Sequence, residues 1–417
     1  MRVGPGGRAH LSYCTNIHPG EDWAAVRAEL ERFLPPLRGA LSPDEHFGVG
    51  LRLSARAARE LRSDLGALSA FRGWLDAQGL YVFTMNGFPY GGFHRGRVKD
   101  RVYAPDWRTR ERVEYTLELA HLLVALLPAE TEGGISTSPI SYKPWLDPGE
   151  WEDVLAAGAR HLAEVAVELA GIHETKGTIV HVDIEPEPDC LIENGEETVR
   201  FFQEHLFREG REVVVRGTGL TAAAAEELLR RHIRVCYDTC HFAVQYEDPA
   251  EALDRFEAAG IAIGKVQLSA ALATPMEQPH EVARALRPFA EGTYLHQVVE
   301  RTGQGGLRRY RDLPEALSLL ERSAAGTDAR EWRVHYHVPL FTEGLVGGLR
   351  STRKELEEAL RLVMERGLSD HLEVETYTWE VLPDELKTDL GTSIRQELAW
   401  VLARLDALGT GGPGGGG

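Results

Sequence analysis

Eight short β-like runs, separated by longer stretches with helical spacing, constrain this chain more than any other feature of its sequence. Strands that alternate with helices in this way form parallel sheets whose neighbouring strands are joined by crossover helices. Each run is short enough for a buried strand, and the segments between the runs repeat apolar residues at helical intervals. The eight runs are His10–Asn16, Phe47–Ser54, Leu80–Asn86, Gly134–Thr137, Thr178–Glu185, Ile233–Asp238, Gly264–Ser269 and His371–Tyr377.

Two of the intervening segments carry clear helix signals. In Asp106–Leu127 apolar residues recur from Val113 at helical spacing, and Pro128 ends the pattern. The segment Thr352–Arg366 begins with a Thr352-x-x-Glu355 pattern, which predicts a capping box, and Gly367 follows its last residue.

The number of strands favours a closed barrel over an open sheet. Eight parallel strands with outer helices form a (β/α)₈ TIM barrel. The alternative is a doubly wound open sheet, but the G-x-G-x-x-G turn expected after its first strand is missing. We therefore predict an α/β chain that forms one TIM barrel.

The chain between the seventh and eighth runs is too long for one crossover helix. It contains two further β-like runs, Tyr294–Glu300 and Glu331–Phe341, which predict a hairpin or small sheet inserted at about residues 290–345. We expect residues 1–408 to form a single barrel domain. The nearly pure glycine sequence of residues 409–417 predicts a disordered tail.

Charge and cysteine content narrow the class of protein. Lys and Arg number 46 against 64 Asp and Glu, a formal net charge of −18, so nucleic acids and anionic membranes are unfavourable partners. The 4 cysteines do not form a disulfide framework, and no apolar run reaches the length of a membrane span. These features predict a cytoplasmic protein with a small-molecule partner.

Side chains with oxygen ligands, three carboxylates and one amide, lie at the ends of the last four predicted barrel strands. Two-residue periodicity directs Glu185, Asp238, Gln267 and Glu375 into the barrel, near the carboxyl ends where such barrels place their active sites. Three crowded carboxylates repel one another unless a cation neutralises them. Oxygen ligands favour Mg²⁺ or Mn²⁺, and nearby imidazoles extend the choice to Zn²⁺, Co²⁺ or Fe²⁺. We predict a divalent metal on these four residues; the alternative is a set of ordinary polar strand ends bonded to loops.

Several long motifs resemble a known group of proteins. They are Leu11-Ser-Tyr-Cys-Thr-Asn-Ile-His-Pro-Gly-Glu21, Asn86-Gly-Phe-Pro-Tyr-Gly91, Gly134-Ile-Ser-Thr-Ser-Pro139, Val182-Asp-Ile-Glu-Pro-Glu187, Tyr237-Asp-Thr-Cys-His241 and His335-Tyr-His-Val-Pro339. With them the chain resembles the xylose isomerase-like TIM-barrel superfamily of sugar isomerases, epimerases and endonuclease IV. Within that superfamily it resembles the EboE family, the metabolite traffic proteins of bacterial ebo gene clusters.

The resemblance implies roles for particular residues. The superfamily's epimerases hold their metal with Glu, Asp, His and Glu, which implies Glu185, Asp238 and Glu375 here, with Gln267 in place of the histidine. It also implies that His241, in an Asp-x-x-His motif, binds substrate or a second metal. Other products of the gene cluster are implied as possible partners, and a secondary-metabolite precursor as the substrate.

Other residues are candidates for substrate contacts. Asn16 and His18 follow the first strand, where substrate oxygens are held, although an Asx-turn into Pro19-Gly20 explains them equally well. Asn86 beside aromatic residues suits a polyol or an apolar ligand, and His335 and His337 alternate on one strand face of the insert. His94 and Lys99 either meet an anionic group or lie in a solvated loop. Two residues, Cys236 and Cys240, are interpreted as buried structural thiols.

The function predicted from these observations is a metal-dependent isomerase or epimerase that acts next to a carbonyl. Glu185 and Glu375 would move a proton between them, and His241 would orient a hydroxyl. A metal-dependent hydrolase of the phosphoesterase type, with His335, His337 and His241 on a second ion, is one alternative. A non-enzymatic metabolite carrier or scaffold is the other.

Overall fold

Eight parallel strands form the central barrel in the computed structural model, which describes residues 1–94, 96–322 and 328–410. The eight strands follow one another around the barrel in chain order, each paired in parallel with its neighbours. A parallel bridge between Cys14 and Gly50 joins the first strand to the second and closes the ring. The strands are Ala9–Tyr13, Phe47–Arg52, Leu80–Asn86, Gly133–Thr137, Val180–Ile184, Ile233–Asp238, Ile263–Leu268 and His371–Val374. A short strand, Arg2–Val3, pairs antiparallel with the first.

The predicted α/β barrel with an insert between its seventh and eighth strands is confirmed. The helices Trp23–Leu41, Ala55–Ser63, Leu65–Ala77, Arg110–Leu126, Trp151–Lys176, Ala222–His232, Pro249–Ala259, Arg353–Arg366 and Leu390–Thr410 surround it. Between the fifth and sixth strands, a helical segment runs through Gly195–Arg200, a π-helix at Phe201–Gly210, and Arg211–Thr218. A short helix, Thr239–Val244, follows the sixth strand directly. None of the helices within the described ranges is long and apolar enough to cross a membrane.

Three sequence-based boundaries are corrected by the structure. The helix predicted from Asp106 begins at Arg110, because Asp106 forms a turn with the backbone N–H of Arg108. The predicted capping box is wrong, since the Thr352 hydroxyl accepts a hydrogen bond from the backbone of Ala271 and not from its own helix. The last helix includes Gly409 and Thr410, which the predicted tail had claimed; residues 411–417 lie outside the described part of the chain.

The insert forms a second sheet and is larger than predicted. Its five antiparallel strands begin soon after the seventh barrel strand, so the sheet extends beyond residues 290–345 at both ends. These strands are Leu272–Pro275, Val298–Thr302, Leu307–Tyr310, Ala329–Val334 and Arg350–Ser351, and the helices Pro279–Leu286 and Leu313–Arg322 accompany them. The predicted second run ends at Val334, so His335 and His337 lie in the irregular segment that follows the strand.

The two faces of the barrel strands differ in chemistry, as the two-residue periodicity predicts. On the fifth strand Val180, Val182 and Ile184 are fully buried against the outer helices. The alternate residues His181 and Asp183 face the interior, where Asp183 lies beside Gly134 and Gly264, glycines of two other barrel strands. The interior is therefore polar along this strand, which is unusual for a barrel normally filled with branched apolar side chains.

Candidate metal centre

Three carboxylates from three different strands meet inside the barrel mouth. Glu185 and Glu375 each follow the last residue of a strand, and Asp238 ends the sixth strand. One carboxylate oxygen from each lies within 4.8 Å of the others, and all three side chains are buried. The parallel strands position them, because backbone hydrogen bonds from Glu185 to Thr137 and from Glu375 to Leu268 hold both residues in the strand direction.

The side-chain atoms that point into this cluster are not satisfied by the protein. Glu185 Oε2, Asp238 Oδ2 and both amide atoms of Gln267 are buried without a hydrogen-bond partner among the described residues. A buried polar atom without a partner costs roughly 1–3 kcal/mol, more when it is charged. Carboxylate oxygen atoms that converge in this way fit a divalent cation, so the residues present suit the predicted metal.

The protonation of the cluster reflects the same crowding. Burial, followed by the charges of Glu375 and Asp238, raises the pKa of Glu185 well above its usual range. Burial and Asp238 do the same to the pKa of Glu375, and Lys265 opposes both shifts without cancelling them. The cluster as it stands resists full ionisation, and a cation would reverse that preference.

The two carboxylate oxygen atoms of Asp238 have different surroundings. Its Oδ1 accepts hydrogen bonds from the backbone N–H groups of Cys240 and His241 and from the Ser269 hydroxyl, at 2.8, 3.0 and 2.6 Å. These bonds cap the helix Thr239–Val244 and leave Oδ2 free. The cap also explains the Asp-x-x-His spacing, since it places His241 one helical turn further, beside the same cavity.

The two asparagines that were predicted to contact the substrate hold the Glu375 carboxylate in place. The side-chain amides of Asn16 and Asn86 donate to Glu375 Oε1 at 2.7 and 3.0 Å. The Asn86 oxygen accepts one hydrogen bond, from the backbone of Phe88, and keeps a second lone pair; Asn86 also lines the cavity, so its contact with a substrate stays a prediction. Asn16 Oδ1 has no partner within the described structure, and Asn16 lines the cavity.

The histidines of the insert meet His241 at the edge of the cluster. His241 Nδ1 lies 2.8 Å from the Pro186 carbonyl, and His337 Nδ1 lies 2.8 Å from the Glu375 carbonyl. A carbonyl oxygen only accepts, so each Nδ1 carries the proton and each Nε2 presents a lone pair. Asp238, His241 and His337 form a second group of ligand atoms within 4.8 Å of one another.

His335 also carries its proton on Nδ1 and presents the lone pair of Nε2 to His241. Gln297 donates its amide N–H groups to Tyr103 and to the Pro188 carbonyl, so its oxygen accepts from His335 Nδ1 at 2.8 Å. The two Nε2 atoms of His335 and His241 are then 3.0 Å apart with a lone pair on each. Burial lowers the pKa of His335 well below its usual range and that of His337 to about 4, which disfavours a second proton on either ring.

Glu187, which the sequence analysis did not single out, forms a further group of possible metal ligands with His241 and His335. Its carboxylate, His241 and His335 present ligand atoms within 4.8 Å of one another. The Tyr103 hydroxyl donates to Glu187 Oε1 at 2.8 Å, and burial raises the pKa of Glu187 to about 7. The only signal in the sequence was its position two residues after Glu185, beyond a proline that ends the strand.

His18, predicted to contact a substrate, lies elsewhere. Its ring stacks on Phe33 with centroids 4.4 Å apart, and Nε2 bonds to the Tyr13 hydroxyl at 2.8 Å. It does not line the cavity at the carboxylates. His18 therefore packs between Phe33 and Tyr13 and is not among the residues that the fold brings together at the carboxylates.

A buried ion pair, which the sequence analysis did not predict, lies inside the barrel beneath the three carboxylates. Lys265 Nζ is 2.8 Å from Glu373 Oε2, and both side chains are 0% exposed. The first strands leave room for this pair, since a Cβ atom at Gly50 would lie 1.6 Å from Glu373 Oε1. The pair is neutral overall and adds no net charge to the barrel interior.

The cavity above the cluster has an aromatic wall. It holds about 500 Å³ of empty space including its open mouth, and Glu185, Glu187, Glu375, His241 and His335 line one side of it. The aromatic and apolar lining comes from the loop after the third strand, from the insert and from the segment after the eighth strand, with Phe88, Phe93, Tyr103, Tyr294, Leu295 and Tyr377. Six of the predicted site residues line this cavity: Asn16, Asn86, Glu185, His241, His335 and Glu375. Four others are not among its lining residues: His18, Asp238, Gln267 and His337.

No protein-family model and no curated protein matches the chain in sequence. Among solved structures it is similar to a xylose isomerase-like TIM barrel protein from Mycobacterium smegmatis in complex with magnesium, with 10% identity, 96% of this chain and 98% of that chain covered, and a TM-score of 0.49. It is also similar to the IOLI protein with a bound zinc atom, with 12% identity, 96% and 99% coverage and a TM-score of 0.44. A third is a xylose isomerase domain protein from Planctomyces limnophilus, with 15% identity, 87% and 88% coverage and a TM-score of 0.43.

These likenesses are too distant to bear on function. The barrel assignment rests on the order and pairing of the strands described above. The closer resemblance to the EboE family stays a prediction.

Proposed function

We propose that the protein is a divalent-metal-dependent isomerase or epimerase acting next to the carbonyl of a small molecule. The observation that carries the proposal is the convergence of Glu185, Asp238 and Glu375 within 4.8 Å. Two of their buried oxygen atoms, Glu185 Oε2 and Asp238 Oδ2, have no hydrogen-bond partner in the described part of the chain. Asp238 Oδ2, the Gln267 amide oxygen and one oxygen from each glutamate would hold the ion. Mg²⁺, Mn²⁺, Zn²⁺ and Co²⁺ all fit this donor set with histidine nearby.

The bound ion would polarise the substrate's oxygen atoms and stabilise the enediolate. The protein's own groups then move the proton. Glu185 and Glu375 border the cavity from different strands, so one removes the proton beside the carbonyl and the other returns it. Asn16 and Asn86 fix the Glu375 carboxylate through Oε1, which leaves its second oxygen for the substrate side. His241 orients a substrate hydroxyl or ligates a second ion.

A metal-dependent hydrolase is the second candidate, and one observation favours it. The facing lone pairs of His241 and His335, 3.0 Å apart with Glu187 beside them, suit a second cation, which hydrolases use to generate and orient hydroxide. Against a nucleic-acid substrate stand the net charge of −18 and the narrow aromatic cavity. A role in processing or moving a secondary-metabolite precursor rests on the EboE resemblance alone.

The test measures solvent deuterium uptake at the carbon next to the carbonyl, with Mn²⁺-loaded protein and a panel of α-hydroxyketones including dihydroxyacetone. We expect exchange by the natural sequence and its loss in Glu185→Gln and Glu375→Gln. Glu174→Gln, an exposed change on the helix Trp151–Lys176, is the matched control and should exchange normally. If both buried variants keep exchanging while they bind the metal, these carboxylates are not the acid and base. Cleavage of a phosphoester by the same loaded protein would support the hydrolase instead.

A further inference from the structure

The cavity offers almost no positive charge to a ligand. Among the described residues that line it, Lys99 is the only lysine or arginine, against the acidic Glu185, Glu187 and Glu375. Phosphorylated ligands usually require arginine, lysine or a helix N-terminus beside the phosphate. The charge of this wall is therefore the opposite of what a phosphate ester needs.

Lys99 is already neutralised within the protein. Its Nζ donates to Asp312 Oδ2 at 2.6 Å and to the Glu291 carbonyl at 3.2 Å, and its side chain is only 9% exposed. The backbone of the same loop is tied to the insert, because the N–H groups of Val98 and Lys99 both donate to the Thr293 carbonyl at 2.8 Å. Lys99 therefore fastens the loop to the insert, and its charge is paired with Asp312 instead of being offered to an anion or exposed to solvent.

The rest of the cavity lining is largely apolar, and two of its three tyrosine hydroxyl groups, those of Tyr103 and Tyr294, are occupied. Tyr103 donates to Glu187, and Tyr294 donates to the Phe93 carbonyl at 3.1 Å. Phe93 packs against both Tyr294 and Tyr377, with ring centroids 5.3 and 5.5 Å apart. These rings offer faces and edges to a ligand and few hydrogen bonds, so they suit a carbon skeleton more than a fully hydroxylated sugar.

Resting on the proposed function, we propose that the substrate is an uncharged α-hydroxycarbonyl compound with an apolar portion, and that its phosphate esters are rejected. The oxygenated end lies at Glu185, Asp238 and Glu375, and the apolar end lies against Phe93, Tyr294 and Tyr377. Charge and polarity thus divide along the cavity, and the substrate divides in the same way.

Calorimetric titration of the Mn²⁺-loaded protein with four probes tests the assignment by binding alone. The probes are hydroxyacetone, 2-hydroxyacetophenone, dihydroxyacetone and dihydroxyacetone phosphate. We expect 2-hydroxyacetophenone to bind about tenfold more tightly than hydroxyacetone, because its ring buries apolar area. Dihydroxyacetone phosphate should bind more weakly than dihydroxyacetone. The inference is overturned if the ring gives no advantage, if the phosphate binds more tightly, or if none of the neutral probes binds.

Asp312→Asn provides the second arm. The amide keeps the hydrogen bonds that Asp312 Oδ1 accepts from the backbone of His296 and Leu313, but it releases the charge of Lys99. We expect about tenfold tighter binding of dihydroxyacetone phosphate and less than about twofold change for 2-hydroxyacetophenone. An unchanged phosphate affinity would show that Lys99 is not what the phosphate lacks. Selective binding of neutral probes without deuterium exchange would refute the proposed function and leave the substrate class standing.

Discussion

Replacing Glu185 with glutamine should stabilise the metal-free protein while abolishing its response to metal. Two unit charges 4.8 Å apart repel by about 3 kcal/mol at an effective dielectric constant of about 20. Glu185→Gln removes two of the three repulsions in the cluster. It sacrifices no hydrogen bond at Oε2, which has no partner within the described ranges.

The gain is limited by protonation, since the metal-free protein can hold protons in the cluster at some cost. Bringing a group with an ordinary pKa near 4.5 to the protonated form at pH 8 costs about 5 kcal/mol. We therefore expect a stabilisation of about 2–5 kcal/mol at pH 8, or a rise of about 2–6 °C in Tm for a chain of this length.

Differential scanning calorimetry at pH 8, with EDTA and with Mn²⁺, measures both effects. The natural sequence should melt higher with Mn²⁺, and Glu185→Gln should lose most of that increase. Glu373→Gln is the matched control, because it makes the same change one layer deeper and leaves Lys265 unpaired at 0% exposure. That variant should lose about 3–5 kcal/mol. A metal-free Glu185→Gln that melts lower than the natural sequence, or that keeps the full Mn²⁺ response, would refute the reasoning.

Three further changes test other parts of the structure. Burial raises the pKa of Glu397 to about 7, so the contribution of this group to stability is complete below about pH 4.5 and is lost as the pH rises through 7. The free energy of unfolding of Glu397→Gln, measured by urea titration, should therefore rise by about 3 kcal/mol relative to that of the natural sequence between pH 4.5 and 8.5. A difference that stays constant with pH would contradict this. Gly50→Ala should destabilise the protein by about 3 kcal/mol or more, because the new Cβ displaces Glu373. The control is Gly39→Ala in the first helix, whose Cβ meets nothing within 4 Å and which should be neutral or stabilising by up to about 1 kcal/mol. Equal chemical-denaturation midpoints for the two variants would exclude the clash. His335→Ala should lower the number of Mn²⁺ or Zn²⁺ ions bound per chain without removing the tighter one, as counted by calorimetric titration, and an unchanged stoichiometry would place the second ion elsewhere.

The sequence alone determined the barrel and the direction of its acidic side chains. Strand and helix alternate visibly along the chain, and a period of two assigns each strand residue to the interior or to the helices. Because parallel strands of a closed barrel end at one mouth, three acids and one amide at four strand ends predict a common site without any knowledge of distances. Glu185, Asp238, Gln267 and Glu375 were found in this way.

Only the tertiary structure decided which groups complete the site. Asn16 and Asn86 hold Glu375, and Gln297 and Pro188 fix the polarity of His335, through hydrogen bonds between residues far apart in sequence. Such bonds depend on loop paths, and loops have no periodic pattern from which a path follows. Whether Lys99 meets an anion or lies in a solvated loop was likewise open, because its partner Asp312 lies 213 residues away, in the insert.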